Sequence, residues 1–237
     1  NCAHDIAQDL HAHNAHVTPP PPPPTMILNV EPSAQLPYAL YSEGPPLEDC
    51  DLTTASMPFQ VMRKSHQLMT GQIRSLDKDL LDDLARVGFK TDFGWDESGW
   101  QFKYLERGGG YYFNVGCSDL IINGEIGLVQ LSDLDTLVAD GARMVSGDTM
   151  AADLIVLATG YQGQEILVRE LFDEAVADRV GPIWGFDDEQ HELRNMFVRT
   201  GQPGLWFIAG SFAQCRIYSK YLGLQIKACE EGLIPLV

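Results

Sequence analysis

The stretch on which the fold prediction depends is Ala152-Asp153-Leu154-Ile155-Val156-Leu157-Ala158-Thr159-Gly160-Tyr161, an apolar run that ends in small residues and a glycine. A second run of the same kind follows it, Gly204-Leu205-Trp206-Phe207-Ile208-Ala209-Gly210-Ser211. We expect strands at Asp153–Leu157 and Leu205–Ile208, each ending in a tight turn. A strand, a glycine turn and a helix bring backbone amides close to a nucleotide or a flavin. The sequence therefore predicts an α/β fold.

Composition narrows the choice of partners. The chain has 237 residues, of which 45% are hydrophobic, and a formal net charge of −17. This charge repels phosphate backbones and anionic lipid, so we expect no nucleic acid partner and no membrane-surface partner. No apolar run reaches the roughly 18 residues that a membrane span requires. Five scattered cysteines without a C-x-x-C pair, and no secretory signal, predict reduced thiols in a cytoplasmic protein.

The first part of the chain predicts an interrupted β-α-β unit. Residues 2–13 form an amphipathic helix pattern, and Ala15–Thr18 is expected to be the next strand. Six prolines, Pro19–Pro24, cannot donate ladder hydrogen bonds, so we expect polyproline II there, and a strand must stop at Thr18. The proline run is either a spacer or a ligand for an SH3-like or WW-like domain.

The middle of the chain predicts mainly helices. Thr25–Pro46 is expected to be mostly irregular and Leu52–Phe89 helical, with Gly88 at the helix end. The helical region carries a stripe that we expect to be core: Leu76, Leu80, Leu81, Leu84 and Val87. Thr91–Gln101 is expected to be a loop. Three glycines, Gly108–Gly110, predict a bend before an aromatic segment rather than a phosphate loop, because no lysine or helix follows them.

From Ile126 the pattern becomes that of short strands. Asp140-Gly141 and Gly147-Asp148 are hairpin signals, so we expect a three-stranded β-meander that leads into Asp153–Leu157. A helix through Val168 to Phe172 and a last helix from Gln214 to about Glu231 complete the prediction.

Four motifs occur in the order seen in flavin-containing monooxygenases: Asn1-Cys2-Ala3-His4-Asp5, Gly109-Gly110-Tyr111-Tyr112-Phe113-Asn114-Val115-Gly116, Ala158-Thr159-Gly160-Tyr161 and Ala209-Gly210-Ser211-Phe212-Ala213-Gln214. On these motifs the chain resembles the class B flavoprotein monooxygenases, specifically their microbial and fungal flavin-containing branch. The resemblance spans almost the whole chain and is most specific in its second half.

The resemblance implies part of a flavoprotein with two Rossmann-like dinucleotide-binding domains. Residues 1–160 would be a partial NAD(P)-binding domain without its first strand, with a helical insertion at about 46–110. Residues 161–237 would be the C-terminal part of the FAD-binding domain. The implied cofactors are FAD and NADPH, and the implied partners are O2 and a small organic substrate. Assembly with further copies of the chain is left open.

The resemblance also implies the cofactor-binding residues. Cys2, Ala3, His4 and Asp5 would present helix N-terminal amides to the NADPH pyrophosphate, or be an ordinary first helical turn. A turn of four residues would join the two domains, or be a strand end without a ligand: Ala158, Thr159, Gly160 and Tyr161. Gly210, Phe212 and Gln214 would lie at the flavin, or Phe212 would be core and Gln214 a helix cap. No catalytic residue and no metal ligand set is predicted.

Three features of the resembled family are missing from the sequence. The Gly-x-Gly-x-x-Gly fingerprint for FAD and the Phe-x-Gly-x-x-x-His-x-x-x-Trp/Tyr signature do not occur. The arginine that would read the 2′-phosphate of NADPH is replaced by Pro19–Pro24, which offer neither charge nor donor. The family usually has serine where Cys2 stands. The alternative function is therefore a truncated, non-catalytic remnant.

Overall fold

The computed structural model describes residues 2–19 and 25–236. The helices, in chain order, are α1 (Cys2–Ala12), α2 (Ala39–Glu43), α3 (Leu47–Ser56), α4 (Phe59–Leu76), α5 (Lys78–Arg86), α6 (Gly99–Arg107), α7 (Cys117–Ile122), α8 (Gln164–Leu171), α9 (Glu174–Val180) and α10 (Phe212–Glu230). The strands are β1 (Met26–Asn29), β2 (Tyr111–Asn114), β3 (Leu134–Val138), β4 (Gly141–Met144) and β5 (Thr149–Ala151). The described chain is a mixed helix and strand protein, which is compatible with the predicted α/β class.

The described residues divide into two compact units. The first comprises the residues through Pro37, His66–Tyr104 and Gly109–Gly160. The second comprises Tyr38–Ser65, Leu105–Gly108 and the residues from Tyr161 onward. One division falls after Gly160, where the sequence also places a boundary, and the region 46–110 is shared between the units. The assignment of NAD(P) and FAD to the two parts stays a prediction.

The first unit is built around a parallel strand pair. Strand β1 pairs with β2 in the register Met26↔Tyr111 to Asn29↔Asn114. One cluster of buried side chains packs α1 and α5 against this pair and α7: Ala7, Val17, Ile27, Leu84, Phe89, Tyr112, Cys117, Ile121 and Ile126. A second cluster includes Met26, Leu28, Ile73 and Trp100. Alternate residues of β1 thus enter different clusters, as the two-residue repeat of a strand requires.

The predicted β-meander is confirmed. Strands β3, β4 and β5 form a three-stranded antiparallel sheet with β4 in the centre. Gly141 begins β4 at a φ of +150°, and a Cβ there would lie 2.1 Å from the Met150 carbonyl oxygen. A residue with a side chain does not fit this position, which explains the Asp140-Gly141 hairpin signal.

The helix predictions are largely confirmed. Residues 2–13 contain α1, and 52–89 contain the second half of α3 and all of α4 and α5. The last helix, α10, begins two residues before Gln214. Met57-Pro58 and Asp77 separate the three middle helices. Within the predicted stripe Leu84 is fully buried, and Leu80 and Val87 pack against the first cluster. Leu76 is exposed, because it ends α4 rather than continuing one helix into α5.

Two predictions for the first half of the chain are wrong. Ala15–Thr18 lies in no strand, although the Val17 carbonyl accepts a hydrogen bond from the Gly127 amide at 2.9 Å. Thr25–Pro46 is not mostly irregular, since it contains β1, a 3-10 turn at Ser33–Tyr38 and α2. The loop at Thr91–Gln101 is shorter than expected because α6 begins at Gly99. Pro20–Pro24, most of the predicted polyproline segment, lies outside the described residues.

Two further predictions, the strands expected after Ala152 and after Gly204, are also wrong. Asp153–Leu157 and Leu205–Ile208 are assigned neither helix nor strand. No described residue bonds to the backbone of the first segment, and the second has only isolated bonds, such as that from the Phe197 amide to the Phe207 carbonyl at 3.0 Å. An apolar run becomes a strand only where a neighbouring strand satisfies its amides and carbonyls.

Candidate functional site

The first turn of α1 holds the predicted pyrophosphate-binding residues together. Cys2 and Asp5 are exposed, Ala3 is half-buried and His4 is buried. The first amides of any helix lack partners within the helix, so this turn can donate hydrogen bonds to an anion. The small Cys2 and Ala3 side chains leave room for a close approach. Asp5 is the acidic residue of the first turn, and its carboxylate opposes an anion at the same amides.

His4 anchors this turn to β2. Its side chain is 4% exposed and stacks on Tyr112, with ring centroids 4.2 Å apart and planes within 10°. Its Nδ1 has no hydrogen-bond partner among the described residues. Burial lowers the pKa of His4 from 6.5 to about 4. The imidazole is therefore neutral at pH 7 and brings no positive charge to the turn.

The turn after β2 completes the same corner of the molecule. The Val115 amide donates to the Tyr112 hydroxyl at 3.3 Å. Asn114 Oδ1 accepts from the amides of Gly116 at 3.1 Å and Ser118 at 3.3 Å, which secures the start of α7. Gln8 of α1 donates to the Val115 carbonyl at 3.2 Å. We call the set Cys2–Asp5, Tyr112 and Asn114–Cys117 the α1 corner.

Cys117 is the buried thiol of the α1 corner. Burial, and to a smaller degree the Asp5 carboxylate, raises the pKa of Cys117 to about 11. Burial also raises the pKa of the Tyr112 hydroxyl. Both groups are protonated at pH 7, so they can donate hydrogen bonds but do not act as a thiolate or a phenolate base.

A polar network lies at the carboxyl ends of β1 and β2. Asn29 donates its amide to Asp77 Oδ2 at 3.0 Å and its Nδ2 to Asp77 Oδ1 at 2.9 Å. Asn114 Nδ2 donates to Asn29 Oδ1 at 3.4 Å. Asp77 is buried, and no cation pairs with it within the described part of the chain. The sequence analysis missed this network, since an isolated Asn and Asp carry no spacing signal for it.

Ala158–Tyr161, the predicted joining turn, is an irregular segment. Gly160 has a φ of +88°, which glycine adopts without strain. Tyr161 is 99% exposed. The segment is therefore accessible, but no described contact orients a side chain of it towards a ligand.

The third predicted set, Gly210, Phe212 and Gln214, lies at the start of α10. Ser211 caps the helix: its Oγ accepts the Gln214 amide at 3.2 Å, and Gln214 Oε1 accepts the Ser211 amide at 3.0 Å. The cap alternative for Gln214 is thus present in the structure. The core alternative for Phe212 is wrong, because its side chain is 96% exposed. Gly210 precedes the cap with a φ of +102°.

An ion pair between the buried Asp51 and the exposed Arg216 holds α10 to α3. Arg216 Nη2 and Nε donate to Asp51 Oδ1 and Oδ2 at 2.6 and 3.0 Å. Tyr41 donates to Asp51 Oδ1 at 3.2 Å. Hydrogen bonds from Arg216 lower the pKa of the buried Asp51 carboxyl. The pair fixes the first turns of α10, and it was not predicted because 165 residues separate its members.

Two general findings limit the chemistry of the described residues. No group of three His, Cys, Asp or Glu side chains among them is arranged to hold a metal ion. No described helix combines the length and the apolar character of a membrane span.

No known family model matches the chain, and no curated protein matches it in sequence.

Proposed function

We propose that the chain is part of an FAD- and NADPH-dependent monooxygenase with Rossmann-like nucleotide-binding domains, which inserts one oxygen atom of O2 into a small organic substrate. The observation that supports this most directly is the α1 corner. The first turn of α1 carries small residues and packs through His4 on Tyr112 of β2, and Gln8 of the same helix donates to the Val115 carbonyl just after β2. A helix start beside the carboxyl-terminal ends of parallel strands is the usual place for a nucleotide in α/β proteins.

The α1 corner fits a pyrophosphate in part. The amides of Cys2–Asp5 would hold the phosphate oxygens of NADPH, and Ala3 leaves space for them. Asp5 opposes the phosphate charge, and His4 is neutral, so the amides act without a cationic side chain. The residues at the predicted 2′-phosphate position are mainly outside the described part of the chain.

The start of α10 fits a flavin edge in part. The flavin, when bound, supplies the hydride and oxygen chemistry. Phe212 presents an exposed aromatic ring and Gly210 leaves the backbone uncovered. The positive end of the α10 dipole would stabilise negative charge at the flavin by about 0.3–1 kcal/mol. The capping box already engages the Ser211 and Gln214 amides, so the Phe212 and Ala213 amides are the ones directed outward.

The NADPH part is tested by placing one charge at either end of α1. We expect Ala3→Glu to weaken NADPH binding at least about tenfold, because a carboxylate enters the anion-binding turn. Ala12→Glu, at the opposite end of the same helix, is the matched control and should bind as the parent does. NADPH fluorescence titration gives both affinities, and equal affinities would contradict the proposal.

The flavin part is tested by Phe212→Ser, with Phe172→Ser as a control at another exposed phenylalanine of the second unit. We expect the parent chain and the control to retain FAD through desalting and Phe212→Ser to lose it. NADPH-dependent bleaching of the bound flavin then reports electron transfer.

The second candidate function is a non-catalytic remnant. The observation that favours it is the α1 turn, which carries Asp5 and no basic side chain. If the parent chain retains no FAD and NADPH causes no bleaching, the remnant is the correct description of this chain.

A further inference from the structure

His4 carries the side chain of the first turn of α1 that can become positively charged. Cys2, Ala3 and Asp5 complete the turn, and none of them is basic. An anion bound there at pH 7 meets helix amides but no cationic side chain, while the Asp5 carboxylate opposes it. A proton on His4 would supply the charge that the turn lacks.

The His4 ring lies close to the free amides of this turn. In a helix each Cα–Cβ bond is tilted towards the N-terminus, so the side chain of His4, the third residue of α1, lies over the turn that carries those amides. Covalent geometry keeps the Nδ1 atom of a histidine within about 5 Å of its own backbone nitrogen. An anion held by the amides therefore lies on the order of 6 Å from the ring.

His4 Nδ1 is also a buried polar atom without a hydrogen bond. The residue is 4% exposed, and its Nδ1 has no partner among the described residues. Ser118 Oγ, directly after the α1 corner, is a second buried atom of this kind. Buried polar atoms normally have a partner, so two unpartnered ones beside a helix start point to a ligand at this place.

The groups that face His4 keep it neutral in the free chain. From β2, Tyr112 stacks on the ring, and Cys117 of α7 lies in the same corner, both protonated at pH 7. Phe89, which follows α5, presents an uncharged ring at 5.9 Å. From α1 itself, Asp5 is the charged side chain of the turn. Burial and, to a smaller degree, the positive amino terminus of the chain lower the pKa of His4 to about 4.

We propose that binding of a pyrophosphate-containing nucleotide at the α1 corner is coupled to the uptake of a proton by His4, so that the site binds more tightly in mildly acidic solution. This inference rests on the proposed function, since it concerns the regulation of the same anion site. A unit negative charge about 6 Å away, at an effective dielectric constant of about 20, raises the pKa of an imidazole by about two. A pyrophosphate carries two such charges, so the pKa of His4 rises from about 4 to roughly 6.5 in the complex.

Thermodynamic linkage sets the sign of the pH dependence. An anion that favours the protonated ring binds more tightly when protons are available, and the coupling acts equally in both directions. With a pKa of about 4 in the free chain and roughly 6.5 in the complex, the affinity rises about tenfold between pH 7.5 and pH 5.5. Above pH 7.5 the amides bind the anion without a cationic side chain.

Isothermal titration calorimetry of the full chain with ADP-ribose measures the coupling. ADP-ribose contains the pyrophosphate but no group of its own that titrates between pH 5.5 and pH 8. At pH 6, titrations in buffers of different ionisation enthalpy should show roughly 0.7 proton taken up for each ligand bound, and at pH 8 almost none. The affinities at pH 7.5 and pH 5.5 should differ about tenfold.

Three variants assign the proton to His4. His4→Phe keeps the aromatic stack on Tyr112 and should bind ADP-ribose without proton uptake and with equal affinity at both pH values. His4→Gln, which does not titrate either, should behave in the same way and replaces His4→Phe if circular dichroism shows the latter to be unfolded. His13→Phe, at an exposed histidine just after α1, is the matched control and should take up the proton as the parent does.

Asp5 is the other group of the turn that could accept the proton. Asp5→Asn should therefore still take up the proton, and a loss of uptake in this variant would overturn the assignment to His4. Binding without proton uptake by the parent, or equal uptake by the parent and His4→Phe, would overturn the coupling and leave the nucleotide site in place. If ADP-ribose does not bind at all, the anion site is wrong, and the proposed function loses its main support together with the coupling.

Discussion

At the residue scale, His4 shows how burial changes the chemistry of a position that sequence reasoning assigns to ligand binding. The resemblance places it at the pyrophosphate, where a charged imidazole would help. Its ring is instead stacked on Tyr112 and buried. The backbone of this residue remains available to an anion, while its side chain serves the packing of α1 on β2.

Burial of His4 predicts a specific dependence of stability on pH. The pKa is about 4 in the folded chain and 6.5 when exposed, so the unfolded chain binds the proton first. This corresponds to roughly 3 kcal/mol of stability that is present above pH 6.5 and is lost as the pH falls towards 4. We expect His4→Phe, which keeps the aromatic stack, to remove this loss.

Urea unfolding at pH 7, 5.5 and 4.5 measures the effect. The difference in unfolding free energy between His4→Phe and the parent should grow in favour of the variant as the pH falls. His13→Phe, at an exposed histidine near the end of α1, is the control and should follow the parent curve. A constant difference between His4→Phe and the parent over this range would contradict the prediction.

At the element scale, the meander depends on Gly141. We expect Gly141→Ala to destabilise the first unit by at least about 2 kcal/mol, because a Cβ there would meet the Met150 carbonyl oxygen. Gly147→Ala is the matched control in the next turn, where no atom lies within 4 Å, and should cost about 1 kcal/mol for its positive φ alone. Chemical denaturation gives both values, and equal costs would contradict the steric explanation.

The second prediction for a structural element concerns the ion pair between α3 and α10. Arg216→Met leaves the buried Asp51 carboxylate without its cation, so we expect a larger loss of stability than Lys227→Met causes. Lys227→Met removes an exposed ion pair at the other end of α10 and should cost less than about 0.5 kcal/mol. A double variant with Asp51→Asn measures the coupling, and no coupling would show that the pair does not hold the helices.

The helices and strands show most clearly which features of the fold the sequence predicts and which it does not. Periodicity located α1, α4, α5 and α10, and two glycine turns located the meander, because these signals are local. β1 was missed because four residues between a proline run and Pro32 give too short a pattern. The predicted strands at Asp153–Leu157 and Leu205–Ile208 have the right composition, but strand formation also requires a partner, which one segment of sequence does not reveal.

For the candidate site, too, the local positions were predicted from the sequence and the distant partners were not. Cys2–Asp5 and Gly210–Gln214 do lie at helix starts, since N-terminal positions can be read from local sequence. The partners that define their environment, Tyr112, Asn114 and Asp51, are distant in sequence and were found only in the structure.

At the scale of the whole molecule, charge is the dominant feature. With 33 acidic and 16 basic side chains, the folded chain is destabilised by its own repulsion at low ionic strength. We expect the melting temperature to rise by several degrees, on the order of 1 kcal/mol, between 50 and 300 mM salt. NaCl and KCl at equal ionic strength should give the same rise, and a fall in melting temperature with either salt would contradict the prediction.

The buried thiols give the molecule an intrinsic probe of its own opening. Cys117 and Cys50 are enclosed, whereas Cys2 lies at the surface. With the pKa of Cys117 at about 11, an alkylating reagent at pH 8 meets almost no thiolate there until the α1 corner opens. Mass spectrometry of alkylated peptides would therefore follow the opening of this corner under native conditions, with Cys2 as the internal standard for reagent activity.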